Sequence, residues 1–279
     1  MPSNRVYFRG LEAAEFIHPD EMNLKSELTA SKGYQSIVSK VSNLVTAYQF
    51  TNRVGVYTRL TRASAPALFE IMEDVLLILD VDCVPELYMF HSYSQTLLPC
   101  GTTEPYLVIS DYIAAEADRD MLYYLFGNAI AMIKAGHVEI TNITSCMPGN
   151  LWLTIPQIAI KRYLHIADAT SDRGGLLACQ SFSAAVRCHF LELGLPMDAV
   201  QRMFQEDDET AEYVSDYLRR VRMLNAEDSA LTVLAEKWMN LNYIEAPANR
   251  MLSELYRWYR SDYPRLLQKY RNRRGCKDV

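Results

Sequence analysis

The chain has 279 residues, 49% of them apolar, and a formal net charge of −6. This length can bury a large core in one domain, and the acidic balance argues against the broad basic surface that nucleic acid binding needs. The N-terminus lacks the basic start and continuous apolar run of a secretory signal, and every apolar window falls short of the roughly 20 residues that span a bilayer. We therefore expect a soluble, cytoplasmic protein without a transmembrane segment and without a nucleic acid partner.

Helical and extended patterns alternate in the first part of the chain. Apolar residues recur at helical spacing from Tyr34 to Gln49, which predicts a helical N-terminal lobe. The β-branched and aromatic residues from Val54 to Thr61 predict a strand, whereas Pro66 suits the first turn of a helix. Two further strands are predicted over residues 86–93 and 106–110.

The segment from Arg119 to Ile140 is almost wholly apolar, which predicts a long buried helix that ends at Gly136. Asp118 is a suitable N-cap because its short side chain can accept a hydrogen bond from an amide of the first turn. Pro156 suits the first turn of a second long helix. The terminal helix carries eight Lys or Arg over residues 257–277, and it either contacts an anionic membrane or RNA or docks with its charges in water.

Six cysteines are scattered along the chain without a Cys-x-x-Cys pair, and a chain of this length does not need disulfides for stability. We expect reduced thiols in the core. A thiol nucleophile would need a histidine partner, for which Cys100 or Cys179 with His137 or His165 are candidates, although buried inert thiols are commoner. The six are Cys83, Cys100, Cys146, Cys179, Cys188 and Cys276.

The central helix carries Asn128, Ala129 and Met132 at positions i, i+1 and i+4, followed by Ile-Lys-Ala-Gly-His. This pattern resembles the His-Glu-x-x-His helix of zinc endopeptidases of the HtpX and CAAX-prenyl-protease types, with both histidines and the glutamate replaced. The second long helix contains Asp168 and Asp172 in Ala-Asp-Ala-Thr-Ser-Asp-Arg-Gly-Gly-Leu-Leu, which resembles the Glu-x-x-Ala-Asp-Arg-x-Gly-Leu-Leu segment of the same family.

The resemblance implies an α+β, zincin-like metallopeptidase fold that is mostly helical with a small mixed β-sheet. It runs roughly from His18 to the terminal helix. We expect one peptidase-like domain over residues 1–279, with a helical lead-in over 1–50, the sheet and the degenerate active-site helices over 51–175, and a helical C-terminal part over 176–279. The resemblance also places Asp168 where the third zinc ligand would be and Asp172 where a carboxylate orients the first ligand histidine. Ala246 stands where the family has a histidine that stabilises the oxyanion.

Metal-assisted peptide hydrolysis needs three protein ligands, an open metal position and a carboxylate that takes the proton of the bound water. Asn128 offers only a neutral amide, Met132 only a soft thioether, and Ala129 accepts no proton. We therefore expect a pseudopeptidase without a metal or other cofactor, which binds a peptide or protein in a regulatory or chaperone-like role.

Thr96, Leu97 and Leu98 occupy the place where the family has a segment that borders the substrate cleft. An edge strand beside a cleft can bind an extended peptide through main-chain hydrogen bonds, so this role can survive the loss of catalysis. The alternative is a strand and loop that only pack against the core.

Other functions remain open at this stage. A displaced metal site made from His137, His165, Asp168 and Asp172 would support a metalloendopeptidase that uses zinc in a rearranged way. Alternatively, Asp172 hydrogen-bonds Asn128, as a neutral version of the carboxylate–histidine pair of active enzymes. A third possibility is a structural role in a larger assembly, and the oligomeric state is not indicated by the sequence.

Overall fold

The structure is a computed structural model that describes residues 5–92, 97–101, 104–145, 155–226 and 248–275. Most residues in these ranges are helical, and their four short strands form one mixed sheet, which confirms the predicted α+β class. In chain order the elements are α1 (Glu21–Ala30), α2 (Lys32–Gly55), β1 (Thr58–Arg59), α3 (Pro66–Leu79), β2 (Glu86–Phe90), β3 (Leu97–Cys100), β4 (Tyr106–Ser110), α4 (Asp111–Glu116), α5 (Arg119–Lys134), α6 (Val138–Ser145), α7 (Ile155–Cys179), α8 (Phe182–Glu192), α9 (Met197–Met203), α10 (Asp207–Ala226), α11 (Ala248–Arg260) and α12 (Asp262–Gly275).

The sheet has the strand order β1-β2-β4-β3. β2 and β4 are parallel, and the outer strands β1 and β3 each run antiparallel to their neighbour. The strand β4 is buried along its whole length because both of its faces are covered. Leu107 and Ile109 belong to the main core, whereas Tyr106 and Val108 pack with Tyr88 on the opposite face. β3 is thus the end strand of the sheet, and it packs beside α5.

The helices α5 and α7 pack closely against each other. A Cβ added at Gly174 would lie 2.0 Å from the Cβ of Ala131, and one added at Gly127 would lie 2.4 Å from the Cβ of Ala178. No side chain tolerates such distances, so glycine at these two positions allows the two helix backbones to approach each other. Close helix packing therefore explains Gly174 of the Asp-Arg-Gly-Gly-Leu-Leu run without any role in catalysis.

The N-terminal lobe consists of α1 and α2, which pack against α6 and α7 around a separate apolar cluster. Its buried members include Leu28, Tyr34, Val45 and Tyr163. The end of α2 reaches the outer face of the sheet, where the Tyr106 hydroxyl donates to the carbonyl of Gln49 at 3.4 Å. The lobe is thereby in contact with both the sheet and the long helices.

Several local sequence signals are confirmed. Asp118 is the N-cap of α5, because its side chain accepts a hydrogen bond from the Met121 amide at 3.0 Å. Just beyond the end of this helix, Gly136 has a φ of +69°, the left-handed conformation that favours glycine. Pro66 is in the first turn of α3.

Two predicted elements are wrong. The strand expected from Val54 to Thr61 is reduced to Thr58–Arg59, because α2 continues to Gly55. The single terminal helix is two helices that meet at Ser261. Pro264 lacks the amide hydrogen that would bond the carbonyl of Arg260, so one continuous helix cannot form there.

The cysteines are only partly in the core. Cys179 and Cys188 are buried and Cys100 is half-buried, but Cys83 is exposed, so a core position was wrong for Cys83. Burial raises the pKa of Cys179 to about 12, which makes its thiol a poor nucleophile. Cys146 and Cys276 lie outside the described residues. Among the described helices, none is both long enough and apolar enough to cross a bilayer.

Candidate functional site

The helix pair α5–α7 brings Asn128 and Asp172 together. The Asn128 amide donates to Asp172 Oδ1 at 3.0 Å, so the hydrogen bond expected between these two side chains is confirmed. Asp172 is almost fully buried, and Asn128 is half-buried. The amide therefore supplies one hydrogen bond to the carboxylate inside the helix interface.

Asp172 also binds two groups that the sequence analysis did not identify. The hydroxyl of Tyr124, one turn before Asn128 on α5, donates to Asp172 Oδ1 at 2.7 Å. From α8, His189 Nε2 lies 3.3 Å from Asp172 Oδ2 and 3.1 Å from the Tyr124 oxygen. Because the Tyr124 hydrogen is used for Asp172, the Nε2–H of a protonated His189 can donate to the Tyr124 oxygen. One carboxylate thus connects α5, α7 and α8.

The electrostatics of this cluster favour a buried ion pair. Burial alone would disfavour the charged imidazole, but the Asp172 carboxylate outweighs that effect and raises the pKa of His189 to about 9. Burial and the same negative charge raise the pKa of Tyr124 well above its usual value, so its hydroxyl stays protonated. At neutral pH a protonated His189 therefore faces the Asp172 carboxylate.

The remaining positions of the family pattern on α5 are closed to water. Ala129 has no exposed surface and belongs to the main core, and Met132 is only 8% exposed. Asp168 is half-buried on α7. Ala246 lies outside the described residues.

A second buried cluster surrounds Glu21, at the start of α1. Glu21 Oε1 lies 2.6 Å from His137 Nε2, and the Thr170 hydroxyl of α7 donates to Glu21 Oε2. The same Thr170 oxygen accepts the backbone amide hydrogen of His18 at 2.9 Å. Lys25 donates to the carbonyls of Ala135 and Gly136 just after α5, and the backbone amide of His137 donates to the carbonyl of Met132.

The residues proposed for a displaced metal site are not brought together. His137 faces Glu21, whereas Asp172 faces Tyr124 and His189. His165 is buried on α7, and Asp168 is half-buried on the same helix. Within the described ranges, no group of three or more His, Cys, Asp or Glu side chains is placed to hold a metal ion.

The predicted cleft residues lie on or next to β3. Leu97 is buried, and Leu98 is 48% exposed, as expected for alternate side chains of a strand. Thr96 lies outside the described residues. The end of this strand is held by α6, because the Asn142 side chain donates to the carbonyl of Gly101 at 3.2 Å.

Sequence reasoning missed His189, Tyr124 and Glu21. A signal existed for Tyr124, because it precedes Asn128 by four residues and therefore lies on the same helix face. No local pattern connects His189 or Glu21 with the residues that they contact, which are far away in sequence. In comparisons with known proteins, no family model, no curated protein and no solved structure matches this chain.

Proposed function

We propose that this chain is a non-catalytic relative of the zinc endopeptidases that it resembles, and that it binds an extended polypeptide without cutting it. The environment of Ala129 is the observation that carries this proposal. The resemblance puts the proton-accepting carboxylate at this position, and the chain has a methyl group there with no exposed surface. A buried methyl group can neither take a proton from water nor be reached by water.

The state of Asp172 supports the same proposal. In the active family this carboxylate would orient a metal-bound histidine. Here Oδ1 accepts hydrogen bonds from Tyr124 and Asn128, and Oδ2 lies against His189. The groups that would form a catalytic centre are thus engaged in holding three helices together.

The strand β3 is the part of the expected cleft that keeps a binding geometry. It ends the sheet, runs antiparallel to β4 and has α5 beside it. A peptide could add to this edge as a further strand, with Leu98 exposed to contact a side chain of the peptide. Pro99 has no amide hydrogen, so this four-residue strand offers few donors to a peptide. We therefore expect weak, micromolar binding that depends on side-chain contacts.

The test uses an unfolded, carboxymethylated polypeptide labelled with fluorescein as the probe. Anisotropy titrations should show saturable binding by the wild-type chain, and Leu98→Asp should weaken it at least tenfold. Leu193→Asp is the matched control, because Leu193 is also a leucine with 48% exposure but lies at the end of α8. This control should bind like wild type.

Two results would contradict the proposal. One is an absence of saturable binding, or an equal loss of affinity for the probe in Leu98→Asp and Leu193→Asp. The other is cleavage of the probe, detected by mass spectrometry, that a chelator stops in protein carrying about one transition metal per chain. The second result would instead favour hydrolysis at a rearranged metal site.

A further inference from the structure

The helix α2 exposes an unusual amount of apolar surface. Twelve large apolar side chains are exposed in the described structure, and five of them lie on α2 or immediately after it. These five are between 56% and 69% exposed, and they are Leu44, Tyr48, Phe50, Val54 and Val56. Such a concentration indicates a surface that is covered in the working state of the protein.

The exposed apolar side chains are spread over a broad side of α2. Leu44 and Tyr48 are four residues apart, as are Phe50 and Val54, and at 3.6 residues per turn the two pairs are centred about 120° apart around the helix. They span about 15 Å along the helix axis. The outer face of α2, from Leu44 to Val54, is therefore a broad apolar patch.

Three hydroxyls of α2 do not require water. The hydroxyls of Ser39, Thr46 and Thr51 donate to carbonyls of their own helix, three or four residues earlier, at 3.0, 2.9 and 2.8 Å. Hydroxyls that are satisfied in this way can leave water at little cost. These hydroxyls therefore do not oppose the entry of the neighbouring apolar side chains into an apolar environment.

The charges of α2 indicate what that environment is. The helix contains no Asp or Glu, although the chain as a whole has a net charge of −6. Lys32 and Lys40 are exposed, whereas Arg53 is turned toward Glu86 at 3.3 Å. A negatively charged surface would attract these lysines.

We propose that the outer face of α2 docks on the surface of an anionic lipid membrane. The apolar side chains enter the boundary between head groups and acyl chains, and the lysines reach the phosphates. Tyr48 supplies an aromatic ring of a type that is enriched at this depth, and Phe50 adds apolar surface. The association is peripheral and does not involve a spanning helix.

Co-sedimentation of the full chain with vesicles tests the proposal. Binding should occur with phosphatidylcholine vesicles that contain about 30% phosphatidylserine and should be much weaker with phosphatidylcholine alone. Phe50→Ser with Val54→Ser should lower the partition coefficient at least tenfold. Lys32→Gln with Lys40→Gln should lower it several-fold and reduce its dependence on salt.

The matched control is Leu77→Ser with Val84→Ser, which removes two similarly exposed apolar side chains outside α2 and should leave vesicle binding unchanged. Equal losses in the control and in the α2 variants would overturn the proposal, as would a wild-type chain that ignores anionic vesicles. Sedimentation velocity without lipid adds a separate outcome. A dimer that the Phe50 and Val54 substitutions abolish would assign this face to a second copy of the chain and also overturn the proposal.

Discussion

Asp172 is a buried carboxylate on which donors from two neighbouring helices converge. Transfer of a carboxylate into a protein interior costs several kcal/mol, and a nearby imidazolium with good hydrogen bonds can offset this cost. His189 provides the opposite charge, and Tyr124 and Asn128 provide the hydrogen bonds. The cluster is therefore stable only while all of its members are present and His189 is protonated.

Stability should depend on the protonation of His189. Its folded pKa of about 9 is above the ordinary value of 6.5, so its contribution is fully present below about pH 6.5 and is lost as the pH rises through about 9. We expect the free energy of unfolding to fall by roughly 3 kcal/mol over this window. Urea unfolding at a series of pH values measures this change.

Asp172→Asn is the informative variant for this prediction, because it removes the charge that raises the pKa of His189 and keeps a similar shape. The variant should be destabilised by roughly 3 kcal/mol at pH 6.5 and should lose most of the dependence between pH 6.5 and 9. The idea fails if wild type and variant show the same pH dependence. The double variant Asp172→Asn with His189→Gln should lose less unfolding free energy than the two single variants lose together, because no buried charge is left without a partner.

The helices α5 and α7 can approach each other because Gly174 has no side chain at their contact. A Cβ added at Gly174 would overlap the methyl group of Ala131. Since both helices carry buried site residues, separation of the helices would also disturb the Asn128–Asp172 hydrogen bond. The packing and the polar cluster are therefore coupled.

Gly174→Ala should destabilise the protein by about 3 kcal/mol or more, because overpacking forces helix backbones apart. The swap Gly174→Ala with Ala131→Gly returns the methyl group to the same space and should recover at least half of that loss. Gly55→Ala is the control, since a Cβ there meets nothing within 4 Å, and it should be neutral or slightly stabilising. Thermal unfolding of the four proteins decides the matter. A swap as unstable as Gly174→Ala alone would contradict the close contact.

Elements whose limits depend on neighbouring residues could be predicted, and elements that depend on distant partners could not. Helix limits that depend on neighbouring residues, such as the Asp118 cap and the turn at Gly136, agree with the sequence patterns. The strand predicted from Val54 is present only at Thr58–Arg59, where it pairs with β2, and both residues are exposed, so the segment lacks the half-buried surface that β propensity reflects. Its first residues remain in α2, whose Arg53 lies against the tyrosines of the sheet.

At the scale of the whole molecule, Glu21 connects the N-terminal lobe to the central helices. Its carboxylate binds His137 after α5 and Thr170 on α7, in a region with almost no exposed surface. Burial opposes the charge of Glu21, but the hydrogen bond from His137 lowers its pKa below 4.5. The stability that the Glu21 carboxylate contributes is present above about pH 4.5 and is lost as the pH falls through the pKa of Glu21 in the folded protein.

Glu21→Gln should therefore loosen the lobe without unfolding the rest. A hydrogen bond to a charged group contributes roughly 1.5 to 3 kcal/mol, so amide hydrogens of α1 and α2 should exchange about ten to a hundred times faster, with little change in α5 and α7. Hydrogen exchange followed by mass spectrometry measures both regions in one experiment. Glu27→Gln is the control, because Glu27 is exposed on the same helix. Uniformly faster exchange in all helices would show that the lobe does not open separately.

The sequence by itself determined the α+β class, most helices and the caps of α5, because these depend on residue identity and on neighbours a few positions away. It also placed Asn128 and Asp172 on facing helices. Only the tertiary structure decided that His189 and Tyr124 complete the Asp172 cluster and that Glu21 binds His137, because these contacts join residues far apart in the chain. It also decided which face of α2 is exposed, since burial depends on the elements that pack around a helix and not on its own pattern.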